Sequence, residues 1–186
     1  MPKLITQLPN YPITNYKIIG NIPFYVTGYL FRVLGELKNK PSLIVFFLQK
    51  EVAQRICAKP SKMNPPHRQT MWGMNLLAAS IQFWAEPEII DYISKKDFKP
   101  EPKVDSAIIK LSPRTYADWT RTDAENYYKF IKILFKQPRK TIINNLRPTI
   151  NDLQQIKEKL KKLGINSNDR PQNLDIKQIK ELSTLF

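Results

Sequence analysis

The stretch YKIIGNIPFYVTGYLF (residues 16–31) decides how the first half of the chain folds. It opens with a short β-rich apolar run, 16–22, and continues into 26–39, where apolar residues recur at helical spacing and Gly35 is a mild cost. A second β-rich run, SLIVFFLQ, follows at 42–49. Continuous apolar runs of this length are typical of strands covered on both faces. The order predicts a strand–helix–strand unit with two parallel strands.

The segment after the second strand predicts the rest of an α/β sheet. Helical patterns at 50–58 and 76–85 flank a polar, proline-rich stretch at 59–75 that predicts a loop. Two further β-rich runs lie at 87–94 and 104–112. We expect them to form an antiparallel pair at the edge of a mostly parallel sheet.

From about residue 122 onward the chain is helical and basic. A capping box of Thr122 and Glu125 predicts the start of the first helix, and Gly164 predicts the end of the third. The organisation predicted is an α/β part over 1–115 and a small all-helical part over 116–186. The helical segments are TDAENYYKFIKILFKQ, RKTIINNL, INDLQQIKEKLKKLG and LDIKQIKELSTLF.

The predicted sheet looks incomplete. Four strands do not make a self-contained doubly wound sheet, and the five glycines of the chain never approach a G-x-G spacing. We therefore expect the first half of the sheet, with its glycine-rich ligand loop, to be missing from the predicted elements.

The composition favours an anionic partner. Thirty basic against 16 acidic residues give a formal charge of +14, for which nucleic acid is the first candidate and an anionic membrane the second. One cysteine excludes an internal disulfide, and one histidine leaves no Cys/His cluster for zinc. Without a long apolar run or a signal-peptide pattern, we expect a soluble, cytoplasmic protein without membrane contact.

Residues 21–24, Asn-Ile-Pro-Phe, end the first predicted strand with groups suited to one particular chemistry. The exocyclic amine of adenine is a poor nucleophile because its lone pair is delocalised into the ring. A carboxamide oxygen and a backbone carbonyl fixed by proline can hold the two amine hydrogens and free the lone pair. An aromatic ring can then stack on the flipped base. The alternative is a strand-ending turn in which Asn-x-Pro is incidental.

Four blocks of sequence favour the interpretation of residues 21–24 as a group that binds adenine. IIGNIPFYVTGYLF, FFLQKEVAQRICAKP, FKPEPKVDSAIIKLSPR and FKQPRKTIINNL occur in this order and resemble the KsgA family of ribosomal-RNA adenine dimethyltransferases over nearly all of 16–186. The related Erm methyltransferases share part of this pattern. The resemblance implies a partial class I, Rossmann-like methyltransferase sheet and a helical RNA-binding domain. It also implies S-adenosylmethionine-dependent dimethylation of N6 on two adjacent adenines near the 3′ end of small-subunit rRNA.

The resemblance also implies roles for single residues. Asn21 would border both the methyl donor and the target amine, Ile22 and Pro23 would hold the backbone acceptor, and Phe24 would stack on the adenine. Phe98 would be the second aromatic flanking the base, unless it only anchors a loop in the core. The residues implied on the RNA-facing side are Lys103, Arg139, Lys140, Asn144 and Asn145. The alternatives are a solvated helix start for Arg139 and Lys140, and a structural cap for the two asparagines.

The chain departs from the family pattern at its start. The glycine-rich donor loop and the acidic residues that hold the donor should lie upstream of residue 16, so the chain resembles a truncated member that binds the donor weakly or not at all. Three readings follow: an enzyme, a non-catalytic remnant that docks on the small ribosomal subunit or its rRNA, and a generic basic DNA-binding protein. The ordered blocks disfavour the third. We expect a monomer.

Overall fold

The computed structural model describes residues 15–60, 73–114, 121–149 and 153–184, with the backbone alone at Phe24, Arg121 and Thr122. Its strands are β1 (Lys17–Asn21), β2 (Leu43–Gln49), β3 (Ala85–Ile93) and β4 (Ser106–Pro113). Its helices are α1 (Thr27–Glu36), α2 (Lys50–Ile56), α3 (Leu76–Gln82), α4 (Arg121–Leu134), α5 (Ile142–Leu146), α6 (Leu153–Lys162) and α7 (Ile176–Ser183). Within these ranges no helix has the length and apolarity to cross a membrane.

The four strands form one sheet in the order β1-β2-β4-β3. β1 and β2 are parallel and joined through α1, which confirms the predicted strand–helix–strand unit. β4 runs antiparallel to both β2 and β3, so the predicted antiparallel pair at the edge is also confirmed. β1, β2 and β3 therefore run in the same direction and β4 alone runs against them, as expected for a mostly parallel sheet, although β1 and β2 are the one adjacent parallel pair among the described strands.

The two faces of β1 are less covered than its apolar sequence predicts. In β2, Ile44, Phe46 and Leu48 are buried, and the alternate residues are half-buried, as expected for a strand between two layers. In β1, however, Ile19 is 80% exposed. The exposed residues alternate along β1, so among the described residues one face of this edge strand has no covering layer.

The helical part packs directly on the α/β part. Tyr127 of α4 is fully buried, donates its hydroxyl to the Ala79 carbonyl of α3 at 2.9 Å, and stacks on Phe83 with ring centroids 4.1 Å apart. One continuous core therefore runs from the sheet into the helices. The predicted boundary at 115/116 lies outside the described residues, and the division into two domains stays a prediction.

The first, third and fourth predicted helical segments coincide with α4, α6 and α7. The second, RKTIINNL, contains the short α5. Gly164 ends α6 at φ 65°, and Gly164 and Ile165 donate to the carbonyls of Lys161 and Leu160, which confirms the predicted glycine cap. The Thr122 side chain lies outside the described residues, as does most of the predicted loop 59–75. A capping box that the sequence reading missed joins Asp175 and Gln178 at the start of α7.

Candidate active site

The Asn21 side chain lies exposed at the last position of β1. In the parallel register Asn21 is opposite Phe47 of β2, so both residues lie near the carboxyl ends of their strands. Open α/β sheets bind ligands outside this end of parallel strands. No described residue forms a hydrogen bond with the Asn21 carboxamide, which is unlike an asparagine that caps a turn.

In the turn after β1, the carbonyls of Ile22 and Pro23 differ in whether they accept a hydrogen bond. The Ile22 N–H donates to the Phe47 carbonyl at 3.2 Å and fixes the turn on β2. Pro23, at φ −59° and ψ 138°, precedes a 3₁₀ turn over Phe24–Val26, and its carbonyl accepts from the Val26 N–H at 3.2 Å. None of the described residues donates to the Ile22 carbonyl. Of the two, the Ile22 carbonyl is thus the available backbone acceptor beside Asn21.

Phe98 comes to the same end of the sheet from a distant part of the sequence. It follows a 3₁₀ turn over Lys95–Asp97 and is half-buried. Its ring packs edge-on against Phe47, with centroids 5.9 Å apart. Because Phe47 is also the register partner of Asn21, Phe98 and Asn21 are neighbours of the same β2 residue. The contact with Phe47 is compatible with either a loop anchor or a base-stacking ring.

A charged cluster borders this group where β2 passes into α2. Lys50 and Asp105 form an ion pair at 3.0 Å, and the Lys95 backbone N–H donates to the other Asp105 oxygen at 3.2 Å. The hydrogen bond from Lys50 lowers the pKa of Asp105 below its usual value, and the hydrogen bond from the Lys95 N–H lowers it further. Lys103, a predicted RNA contact, is exposed and lines a cleft with Lys50, Lys95 and Asp105.

The other four predicted residues lie in the helical part. Arg139 and Lys140 are exposed in the turn before α5, and Asn144 is exposed within α5. Asn145 is 5% exposed. Its carboxamide accepts from the Gln137 N–H at 2.9 Å and donates to the Gln137 and Thr141 carbonyls at 3.1 Å each. Asn145 therefore holds the turn that presents Arg139 and Lys140.

The sequence reading missed the Lys50–Asp105 pair and Lys95. Lys50 and Asp105 stand inside the quoted blocks FFLQKEVAQRICAKP and FKPEPKVDSAIIKLSPR. The block pattern marked the segments, but the pairing depends on β4 lying beside β2, which places the start of one strand at the end of the other.

Comparison with known proteins extends these observations. A family model described as ribosomal RNA adenine dimethylase matches residues 3–186. A protein named ribosomal RNA small subunit methyltransferase A from Mycoplasma capricolum is 37% identical over 180 residues, which are 96% of this chain and 64% of that protein. The protein of the same name from Fusobacterium nucleatum is 30% identical over 186 residues, 98% of this chain and 66% of that protein. The chain spans just under two thirds of the length of these relatives.

Two solved structures resemble the fold. The crystal structure of 23S rRNA methyltransferase ErmE aligns with a TM-score of 0.69 at 19% identity, covering 94% of this chain and 66% of that one. A dimethyladenosine transferase from Plasmodium falciparum aligns at 0.70 with 21% identity, covering 90% and 65%. This likeness confirms the predicted Rossmann-like fold class. Since the family model matches almost the whole sequence, the chain belongs to the ribosomal RNA adenine dimethylase family.

Proposed function

We propose that the chain carries the acceptor side, the part that binds the adenine to be methylated, of an enzyme that dimethylates N6 of two adjacent adenines near the 3′ end of small-subunit rRNA. Family membership and the names of the relatives support the reaction class and the RNA. One observation carries the proposal: an exposed Asn21 carboxamide and an Ile22 carbonyl, on adjacent residues at the end of β1, are both left unused by the described residues.

The acceptor side would act by holding the amine. The Asn21 side-chain oxygen and the Ile22 carbonyl accept one N–H each from the adenine N6. Both hydrogen bonds draw the nitrogen toward tetrahedral geometry and localise its lone pair. The Ile22 N–H bond to Phe47 and the restricted φ of Pro23 fix the carbonyl before the base arrives. A preorganised acceptor of this kind acts mainly in the transition state.

Aromatic rings would hold the target base outside its helix. Phe24 follows Pro23 directly and is proposed to stack on the adenine, while Phe98 flanks the same end of the sheet through its contact with Phe47. Stacking on an aromatic ring contributes about 1–3 kcal/mol for each base. This suits an enzyme that must extrude a base before reacting with it.

The helical part would dock the RNA. Arg139 and Lys140 are exposed on a turn that Asn145 holds in place, so two cations are presented together. Lys103 would contribute a further phosphate contact near the sheet. We propose that the chain works as a monomer in the cytoplasm, on rRNA or on an immature small subunit.

S-adenosylmethionine would supply the methyl group, but the described residues fit only one wall of a donor site. Asn21 is exposed where a donor would approach. The chain offers no closely spaced glycines to cradle the methionine end, and none of its five glycines lies within a G-x-G pattern. The described residues would therefore act on the methyl acceptor.

We predict that the 186-residue chain binds S-adenosylmethionine weakly or not at all, since Asn21 is its one proposed donor contact. Isothermal titration calorimetry of the chain with S-adenosylmethionine measures this directly. A micromolar dissociation constant, about −8 kcal/mol, would contradict the prediction.

Asn21→Ala tests the proposed reaction. The substitution should lower methyl transfer to small-subunit rRNA by about 10²–10³, or about 3–4 kcal/mol, while RNA binding stays near normal. Wild type and Asn21→Ala are compared by labelled methyl incorporation in a fusion with the part of the Mycoplasma capricolum relative that the chain does not match, and the chain alone is assayed beside it. Asn126→Ala, at an exposed position of α4, is the matched control. Near-normal turnover of Asn21→Ala would leave the motif as a strand-ending turn.

A second candidate function is non-catalytic docking on the small subunit. The observation that favours it is the missing glycine-rich pattern. A chain that binds small-subunit rRNA, yet transfers no methyl group in either form of the assay, would support this function instead.

A further inference from the structure

We infer that the cleft lined by Lys50, Lys95 and Lys103 binds the backbone phosphate of a nucleotide adjacent to the target adenine. The inference rests on the proposed function and adds a second RNA subsite to it. The cleft lies where β2 passes into α2 and has a volume of about 380 Å³, a size that suits a single nucleotide.

The position of the cleft relative to Asn21 supports a neighbouring nucleotide. Asn21 is opposite Phe47 in the sheet register, and Gln49, which lines the cleft, lies two residues farther along β2. Two residues of a strand span about 7 Å, which is within reach of one nucleotide. A strand of RNA that places its adenine at Asn21 can thus place a flanking phosphate at the cleft.

One cation of the cleft is available to an anion. Three lysines line the cleft together with the carboxylates of Glu51 and Asp105, and Glu101 adds a third carboxylate as the partner of Lys95, so the formal charges balance. Asp105 holds Lys50 at 3.0 Å, and Glu101 holds Lys95 at 2.9 Å, so both ammonium groups are fixed in place. No described residue forms an ion pair with the exposed Lys103, which is the cation most available to a phosphate.

The same cleft also offers groups that suit the ribose. The Gln49 carboxamide and the Glu51 carboxylate lie among the lysines. These oxygens accept hydrogen bonds, and a 2′-hydroxyl donates one. A mixed lining of cations and acceptors therefore fits a ribonucleotide better than a free inorganic anion.

The test pairs a protein change with an RNA change. Short rRNA hairpins with two adjacent adenines are made with the natural backbone, or with one charge-neutral methylphosphonate linkage before, between or after the adenines. Fluorescence anisotropy measures their binding by the wild-type chain, Lys103→Ala and Lys103→Arg. Lys17→Ala is the matched control, because Lys17 is exposed at the opposite end of β1.

With the natural RNA, Lys103→Ala should bind about fivefold more weakly, and its salt slope should be shallower by about 0.7–0.9. Lys103→Arg should retain affinity. With one of the three neutralised RNAs, Lys103→Ala and wild type should bind equally. Lys17→Ala should match wild type throughout.

Two results would overturn the inference alone: no loss of affinity in Lys103→Ala, or an equal loss with all three neutralised RNAs, while wild type binds the natural RNA. A wild-type chain that binds none of the RNAs would overturn both the inference and the proposed function. Circular dichroism of each variant verifies that the fold is intact.

Discussion

Asn144 and Asn145 are neighbours in α5, yet their side chains meet opposite environments. Asn144 is exposed, whereas Asn145 is buried and bonded to the backbone of the preceding turn. The resemblance placed both asparagines on the RNA-facing side, with a structural cap as the alternative. The buried position of Asn145 favours the second description for that residue. Its effect on RNA would then pass through the turn that carries Arg139 and Lys140.

Asn145→Ala should lower the free energy of unfolding by about 2–3 kcal/mol. The substitution removes the partner of the Gln137 N–H and of the Gln137 and Thr141 carbonyls, and each lost hydrogen bond costs about 1 kcal/mol. Asn144→Ala, the matched control, should change stability by less than about 0.5 kcal/mol. Urea unfolding followed by circular dichroism gives both values. Equal effects would show that the turn does not depend on Asn145.

Asn21 and its neighbours show what the sequence could predict at the scale of single residues and what it could not. The motif order and strand pattern placed Asn21 at the end of a strand, and the structure has it there. The choice between the Ile22 and Pro23 carbonyls was beyond the sequence. It depends on a Val26 hydrogen bond within the turn and on the contact of Ile22 with Phe47. Both are set by tertiary geometry rather than by local propensity.

At the scale of elements, α1 shows why one glycine is needed and another is not. A Cβ added at Gly35 would lie 2.8 Å from the indole nitrogen of Trp84, a side chain only 2% exposed. A Cβ added at Gly28 would meet nothing within 4 Å. From sequence, Gly35 was only a mild cost to the helix. The structure shows that the absence of a side chain at Gly35 permits the close approach of α1 to Trp84.

The pair Gly35→Ala and Gly28→Ala tests this packing. Gly35→Ala should destabilise the protein by about 1–3 kcal/mol, because the buried ring has little room to move. Gly28→Ala should stabilise it by about 0.5 kcal/mol through helix propensity. Thermal unfolding of both variants beside wild type provides the measurement. A stabilising Gly35→Ala would mean that α1 does not pack closely on Trp84.

The sheet shows which elements local patterns can predict. The four β-rich runs became four strands, and their apolar content was sufficient to find them. The insertion of β4 between β2 and β3, and the exposure of Ile19, were not predictable from the runs themselves. Strand order and edge position depend on which strands meet in three dimensions, and a run of apolar residues carries no information on its neighbours.

At the scale of the whole molecule, exposed cations lie on both the α/β part and the helical part. Lys103 lies at the sheet, and Arg139 and Lys140 lie in the helical part. A formal charge of +14 attracts any polyanion at long range, so affinity alone does not identify the contact surface. The change in salt dependence on removing particular cations does, because the slope counts the phosphates that are neutralised.

We predict that small-subunit rRNA binding weakens steeply with salt, by about 0.7–0.9 in the log–log slope for each phosphate contacted. The double variant Arg139→Ala/Lys140→Ala should lower the slope by about 1.4–1.8. Lys17→Ala/Lys38→Ala removes the same charge at two other exposed positions and should leave the slope nearly unchanged. Filter binding from low to moderate salt measures all three proteins. Equal losses in both double variants would show that net charge, rather than the turn before α5, drives binding, and a flat wild-type slope would indicate a partner other than RNA.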